Sequence, residues 1–182
     1  MNLWKNSTGW VFKYSWFPKD LVPDMDTYNV LGFMYSHCKL RNAKDILELG
    51  VGGQGVSTWL FLRVVKETGG MLTSVDINAQ CEAYYIDNPQ WKFISGDSLK
   101  VEVNGIFDVI LIDTSHVYEQ TVAEMKRYVP KLKTNGLLFM HDTNEPRVLR
   151  AIQTYLDSEH NLRFIDSDGI APRPKIRLYK KL

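Results

Sequence analysis

Residues 46–58 read Ile46-Leu47-Glu48-Leu49-Gly50-Val51-Gly52-Gly53-Gln54-Gly55-Val56-Ser57-Thr58. An apolar run of strand character passes through glycines into a stretch with Val56, Trp59, Leu60 and Val64 on one helical face, which stops at Gly69-Gly70. Glycines let a backbone approach a ligand closely, and a helix N-terminus offers free N–H groups to anionic atoms. Gly50, Gly52 and Gly55 satisfy the spacing G-x-G-x-x-G, and Asp76 lies 21 residues beyond Gly55 at the end of the next apolar run, where an acid can hold ribose hydroxyls. The pattern therefore favours a nucleoside-containing cofactor over a purely structural tight turn.

Outward from this turn, strand-like runs alternate with helix-period stretches, the signature of an α/β sheet. Strands are expected at Asp45 to Leu49, Leu72 to Asp76, Trp91 to Ser95, Phe107 to Ile112, Gly136 to His141, Leu162 to Ile165 and Lys175 to Tyr179. Several are nearly continuous apolar runs, as strands covered on both faces must be. Helices are expected at 55–68, Tyr118 to Tyr128 and Glu145 to Leu156, the last with Pro146 at its first position. The final two strands are separated by a loop too short for a helical crossover, so they should pair antiparallel. The expectation is seven strands: five parallel, plus a C-terminal hairpin.

Residues 1–41 differ, with Trp4, Trp10, Phe12, Tyr14, Trp16 and Phe17 in a start interrupted by Pro18 and Pro23, then a helix from about Asp24 to Leu40. We read this as an extension of the sheet, its aromatics packing on the core or a partner subunit, or forming a lid over a ligand. A chain of 182 residues with 45% hydrophobic and 24% charged residues is one ordinary globule. A net charge of +1 advertises no polyanionic partner. The one biased stretch, Arg173, Lys175, Arg177, Lys180 and Lys181, suits a solvated terminal strand or a phosphate-facing patch. Cys38 and Cys81 form no pairing motif, and neither a signal peptide nor an apolar run near 18 residues is present, so a cytoplasmic protein without a membrane partner is expected. A homo-oligomer stays open.

Glu48 selects among nucleoside cofactors. A carboxylate two residues before the first glycine would repel a pyrophosphate, whereas a cofactor with a cationic amino-acid end gains from it. Here the chain resembles the class I S-adenosylmethionine-dependent methyltransferases, whose glycine motif runs acid-x-Gly-x-Gly-x-Gly; the third glycine, Gly55, comes one residue later than in that pattern. The resemblance covers about residues 43–180 and implies a Rossmann-like doubly wound sheet, with 42–182 as the cofactor-binding domain. It implies that Glu48 meets the methionine amine, that Gly50, Gly52 and Gly55 form the cofactor-binding loop, that Asp76 holds the ribose, and that Ser95-Gly96-Asp97-Ser98 is the adenine turn, Asp97 accepting from the adenine amine.

The fourth and fifth strands end in Asp113-Thr114-Ser115-His116 and His141-Asp142-Thr143. Both ends fall at the carboxyl edge of the sheet, where open α/β folds build sites. Asp113, His116, His141 and Asp142 converge there. The pairing resembles the macrocin-type sugar O-methyltransferases and the cephalosporin-hydroxylase-like proteins, and catechol O-methyltransferase uses the same strand-end positions. That resemblance implies a divalent metal on Asp113, His141 and Asp142, with His116 as a candidate base. In those relatives the position of His141 is acidic, which turns the preference from magnesium alone towards manganese, iron or zinc. The alternatives are a hydrogen-bonded cluster without metal, and His116 as a helix cap or further ligand.

The expected reaction is methyl transfer to a hydroxyl of a small molecule or sugar. The amine-methylating signature Asn/Asp-Pro-Pro-aromatic is missing after the fourth strand, which argues against nucleic acid bases as substrates. Two other classes stay in view: a nicotinamide-dependent oxidoreductase, disfavoured by Glu48, and a nucleoside-binding module of this fold without catalysis.

Overall fold

The computed structural model describes residues 3–6, 9–12, 25–53, 55–78, 87–169 and 174–182. The chain opens with an antiparallel ribbon, β1 (Leu3–Asn6) and β2 (Gly9–Phe12), which the sequence reading left without an element. Helix α1 (Met25–Leu40) follows. Tyr14, Trp16, Phe17 and Cys81 lie outside the described residues, so a lid role for the N-terminal aromatics has no structural reading.

From there strands and helices alternate as expected: β3 (Asp45–Leu49), α2 (Val56–Thr68), β4 (Met71–Asp76), β5 (Trp91–Ser95), β6 (Phe107–Ile112), α3 (Tyr118–Tyr128), β7 (Leu132–Met140), α4 (Pro146–Ser158), β8 (Leu162–Ser167) and β9 (Arg177–Lys181). The sheet order is β5-β4-β3-β6-β7-β9-β8. Strands β3 to β7 are parallel, and β9 is antiparallel to both its neighbours. The C-terminal hairpin thus folds back so that its second strand lies inside the sheet and its first, β8, forms the edge.

Two strand starts differ from expectation by two residues or more. Strand β7 begins four residues earlier, at Leu132, through a register shift opposite Phe107 and Val109. Strand β9 begins at Arg177, because Lys175 is held in the preceding loop: its N–H donates to Asp168 Oδ2 at 3.0 Å and its carbonyl accepts from Thr143 N at 2.9 Å.

Strand side chains alternate between two cores. Ile46, Val109, Leu111, Leu137, Phe139 and Leu178 pack with Val30, Leu31 and Met34 of α1 and Leu60, Phe61 and Val64 of α2. Leu47, Leu49, Ile110, Ile112, Leu138, Met140 and Tyr179 pack with Met125 and Tyr128 of α3 and Val148, Ile152 and Tyr155 of α4. Each such side chain contributes roughly 1.5–3 kcal/mol on burial, which explains the nearly continuous apolar strands. The basic C-terminus has a structural use as well, since Lys181 Nζ donates to the carbonyls of Val129, Pro130 and Leu132.

Strand β3 has β4 on one side and β6 on the other, so the chain direction across the sheet reverses at this point. A crevice opens between the carboxyl ends of strands at such a switch point. The two ends also touch closely. Gly50 has φ +88°, and a Cβ there would stand 1.7 Å from the carbonyl oxygen of Asp113.

Candidate active site

The glycine turn is built on two acids. Glu48 is fully buried, and its carboxylate accepts from Ser57 Oγ at 2.6 Å, Thr58 Oγ1 at 2.8 Å and Ser74 Oγ at 2.6 Å. Burial pushes its carboxyl up to about 7 against the pull of these hydroxyls. Glu48 therefore lies behind the turn and lines neither of the two cavities that flank it. Asp76 closes the turn from β4, its Oδ2 accepting from the backbone N–H of Val51 at 2.7 Å and Gly52 at 3.1 Å.

One cavity, of about 280 Å³, is lined by Gly50, Gly52, Asp76, Asp97, Ser98 and Gln120 among others. It gathers the expected ribose acid and the expected base-binding turn on one wall. Asp97 Oδ1 accepts from Leu99 N at 2.9 Å, and this bond, with Lys100 beside it, holds the carboxyl below its ordinary value. Ser98 is buried and donates to Glu124, a fully buried acid of α3 whose other oxygen accepts from Thr114 Oγ1 at 2.7 Å.

The second cavity, of about 360 Å³, lies across the turn, between Val30, Leu31 and Met34 of α1 and a polar wall of Asp113, His141, Asp142 and Lys175. Gly52 and Asp113 line both cavities, so the two adjoin at the switch point.

The strand-end cluster forms as the sequence brings it together. His116 Nε2 stands 2.9 Å from Asp142 Oδ2 and 3.5 Å from Asp113 Oδ1, while His141 Nδ1 lies 3.2 Å from Asp142 Oδ2 and 3.3 Å from Asp113 Oδ1. His116 and Asp142 both take positive φ, at 55° and 47°. Non-glycine residues pay for that conformation, and such strain gathers at functional positions. Hydrogen bonds donated to Asp113 and Asp142 raise His116 to about 10. Burial opposes the same charge on His141, yet the two carboxylates take it to about 10 as well. Both acids are in turn held below the usual carboxylate range by the imidazoles, against the effect of burial.

His141 Nδ1 is buried and meets both carboxylates at ion-pair distance without a formal hydrogen bond to either. A ring nitrogen and two carboxylates gathered this closely fit a shared cation. One ligand atom each from Asp113, His141 and Asp142 lies within 4.8 Å of the others. The set has the mixed oxygen and nitrogen chemistry that transition metals accept.

The acids at the opposite end of the sheet are structural: Asp45 and Asp108 pair with Lys133 Nζ at 2.7 and 3.0 Å. Sequence reasoning passed over Ser57, Thr58, Ser74, Gln120 and Glu124, and took Lys175 only as part of the basic C-terminal stretch. Ser57 and Thr58 were visible immediately after the glycines; the others carry no local signal, because sheet order and helix docking bring them in.

A methyltransferase-domain family model matches residues 47–143. The chain belongs to that family. The matched segment of this methyltransferase contains every site residue from Glu48 to Asp142. No curated protein matches the sequence. Among solved structures, an O-methyltransferase from Bacillus cereus in complex with S-adenosylhomocysteine (SAH) is similar at TM-score 0.68, with 17% identity, covering 91% of this chain and 84% of that one. The SAH-bound Podospora anserina methyltransferase PaMTH1 is similar at 0.67, with 14% identity and coverage of 88% and 89%. The MycE methyltransferase of the mycinamycin biosynthetic pathway, in complex with Mg and SAH, is similar at 0.61, with 19% identity and coverage of 85% and 49%. At these identities the likeness shows the class I, Rossmann-like methyltransferase fold. No helix among the described residues is long and apolar enough to cross a membrane.

Proposed function

We propose that this methyltransferase moves a methyl group from S-adenosylmethionine to a hydroxyl oxygen of a small molecule or sugar. The observation that carries the reading is the cluster of Asp113, His116, His141 and Asp142, in which Asp113 lines both cavities and His141 and Asp142 line the larger. The SAH-bound Bacillus cereus neighbour is an O-methyltransferase, and MycE holds Mg as well as SAH, which supports the reading.

In this scheme the smaller cavity takes the nucleoside, with Asp76 on the ribose and Asp97 and Ser98 at the base. The methionine end crosses the turn past Gly52 into the larger cavity. Glu48 acts on its ammonium from behind: Ser57 Oγ donates to Glu48 and lines the larger cavity, so its lone pairs are left for the cofactor. The acceptor lies against the apolar wall of α1, facing Asp113. Its oxygen lone pair forms the new O–C bond as the C–S bond breaks onto sulfur, and the hydroxyl proton goes to His116. The sulfonium methyl is already activated, so aligning the reactants and removing one proton is the main task.

Asp113, His141 and Asp142 would hold a divalent cation, whose chemistry is to lower the acceptor hydroxyl's pKa and draw the carboxylates from His116, freeing that imidazole to accept a proton. The test is calorimetry with SAH and, separately, NADH, followed by methyl-transfer assays on hydroxylated acceptors with and without chelator. Binding of SAH alone with cation-dependent transfer is expected. Binding of NADH instead, or SAH binding without transfer to any hydroxyl, would overturn the proposal.

A further inference from the structure

The basic C-terminal stretch divides in the fold. Lys181 turns to the carbonyls of Val129, Pro130 and Leu132, whereas Lys175 lines the larger cavity and has no place in the scheme above. Among the described residues of that lining it is the only lysine or arginine. Its backbone is fixed from both sides. Thr143, buried and next in sequence to Asp142, donates its N–H to the Lys175 carbonyl at 2.9 Å and its Oγ1 proton to the Pro174 carbonyl at 2.6 Å. From β8, Asp168 Oδ2 accepts from the N–H groups of Lys175 at 3.0 Å and Ile176 at 3.3 Å, and the Ile176 side chain is buried in the core shared with α1. The loop before β9 is thereby stapled to the strand end that carries His141 and Asp142.

The strand order β3-β6-β7-β9 decides which ligand this lysine can meet. Adjacent strands lie about 4.8 Å apart, so a residue at the start of β9 stands about 14 Å across the sheet from the turn after β3, but only about 5 to 10 Å from the ends of β7 and β6. Asp113, His141 and Asp142 therefore lie between Lys175 and the glycine turn, where the methionine end belongs. Lys175 serves the far side of the cluster, where the body of an acceptor extends along Val30, Leu31 and Met34. The polar wall already sets its two carboxylates against two imidazoles, with His116 Nε2 at 2.9 Å from Asp142 and His141 Nδ1 at 3.3 Å from Asp113. Lys175 gives that wall a basic excess. A basic wall opposite an apolar one matches a ligand with an apolar body and an anionic group. One ammonium suits a monoanion better than a phosphate dianion, whose further charge would face Asp142.

We propose that the methyl acceptor is a hydroxylated carboxylic acid with an apolar body, and that Lys175 is the specificity residue that binds its carboxylate, roughly 5 to 10 Å from the reacting hydroxyl. The proposal rests on the reading that the larger cavity holds the methyl acceptor.

The experiment measures methyl transfer to 3,4-dihydroxybenzoate, 3,4-dihydroxybenzyl alcohol and 3,4-dihydroxybenzylamine, which differ in charge at one end, and titrates SAH into each protein used. The wild type is expected to favour the acid over the alcohol about tenfold in kcat/KM, through KM. Lys175→Gln should make the two equal, Lys175→Glu should turn the preference to the amine, and Lys175→Arg should keep the acid first. The bonds that staple the loop come from the Lys175 backbone, so the variants retain them. A merely structural role lowers transfer to all three acceptors alike and leaves their ratios intact, and that outcome overturns the proposal, as does a wild type that does not favour the acid. Loss of SAH affinity in Lys175→Gln with unchanged acceptor ratios also overturns it, by assigning the ammonium to the cofactor's own carboxylate. Transfer to none of the three overturns the proposal too; the hydroxyl-methylating function fails with it only if no other hydroxylated compound is methylated.

Discussion

Glu48→Gln should make folding stability far less dependent on pH. Burial lifts the Glu48 carboxyl from its ordinary 4.5 to about 7. The folded protein therefore keeps this proton to higher pH than the unfolded chain does, and folding takes up a proton between these two values. Where the folded state binds more protons, stability falls as pH rises. The penalty is absent below the unfolded value, grows from about pH 4.5, and is fully present above about pH 7, where it amounts to about 3 kcal/mol at about 1.4 kcal/mol per pH of separation. Over a practical window from about pH 5 to pH 8, about 2 to 3 kcal/mol of it is accessible. The variant can keep the local bonds, with the amide oxygen accepting from Thr58 and Ser74 and the amide nitrogen donating to a rotated Ser57.

The assay is urea denaturation of both proteins across that window, read as the difference in stability at each pH. The difference is the right quantity because His116 and His141, raised to about 10, also titrate. Their contribution is fully present below about pH 6.5 and lost as pH rises through about 10; common to both proteins, it cancels. The variant should gain on the wild type by about 2 to 3 kcal/mol from pH 5 to pH 8. A difference constant to within about 0.5 kcal/mol across the window would refute the account of Glu48 as a carboxyl pushed up by burial.

Asp76→Ala should weaken SAH by roughly 1.5–3 kcal/mol, the range for a hydrogen bond to a charged group; calorimetry reading an unchanged affinity would remove Asp76 from the cofactor site. Asp113→Asn and exhaustive chelation should each abolish methyl transfer while SAH affinity holds, and a metal-free preparation turning over at full rate would leave the cluster a hydrogen-bond network. His116→Ala should lower kcat by roughly 10² to 10⁴ with little effect on SAH binding. If excess cation restores the variant, His116 is a ligand and not the base. Gly50→Ala should cost about 2 to 5 kcal/mol, from the left-handed φ and from the overlap of its Cβ with Asp113 O; a denaturation midpoint equal to the wild type would show that the turn after β3 and the end of β6 can separate.

The sequence by itself determined the elements from α1 onward and the identity of the strand-end residues, while the β1–β2 ribbon went unread. Nearly continuous apolar runs such as Val109 to Ile112 make sense only in strands covered on both faces, and Pro146 marks a helix start through its own fixed backbone angle. These are local properties of the chain, and so are the glycine turn and the acid before it. Sheet order is not local. That β9 inserts between β7 and β8 depends on pairing between residues as distant as Leu138 and Tyr179, which no short-range pattern encodes. The same distance hides the partners of the site. Glu48 looked from the sequence like an acid open to a cofactor, but Ser74, brought alongside by the parallel pairing of β3 with β4, joins Ser57 and Thr58 to enclose it. Glu124 reads as one more acid on an amphipathic helix until the docking of α3 carries it under Ser98 and Thr114. Hydrogen-bond direction and burial arise only when separate segments meet, so tertiary structure alone decided what each acid touches.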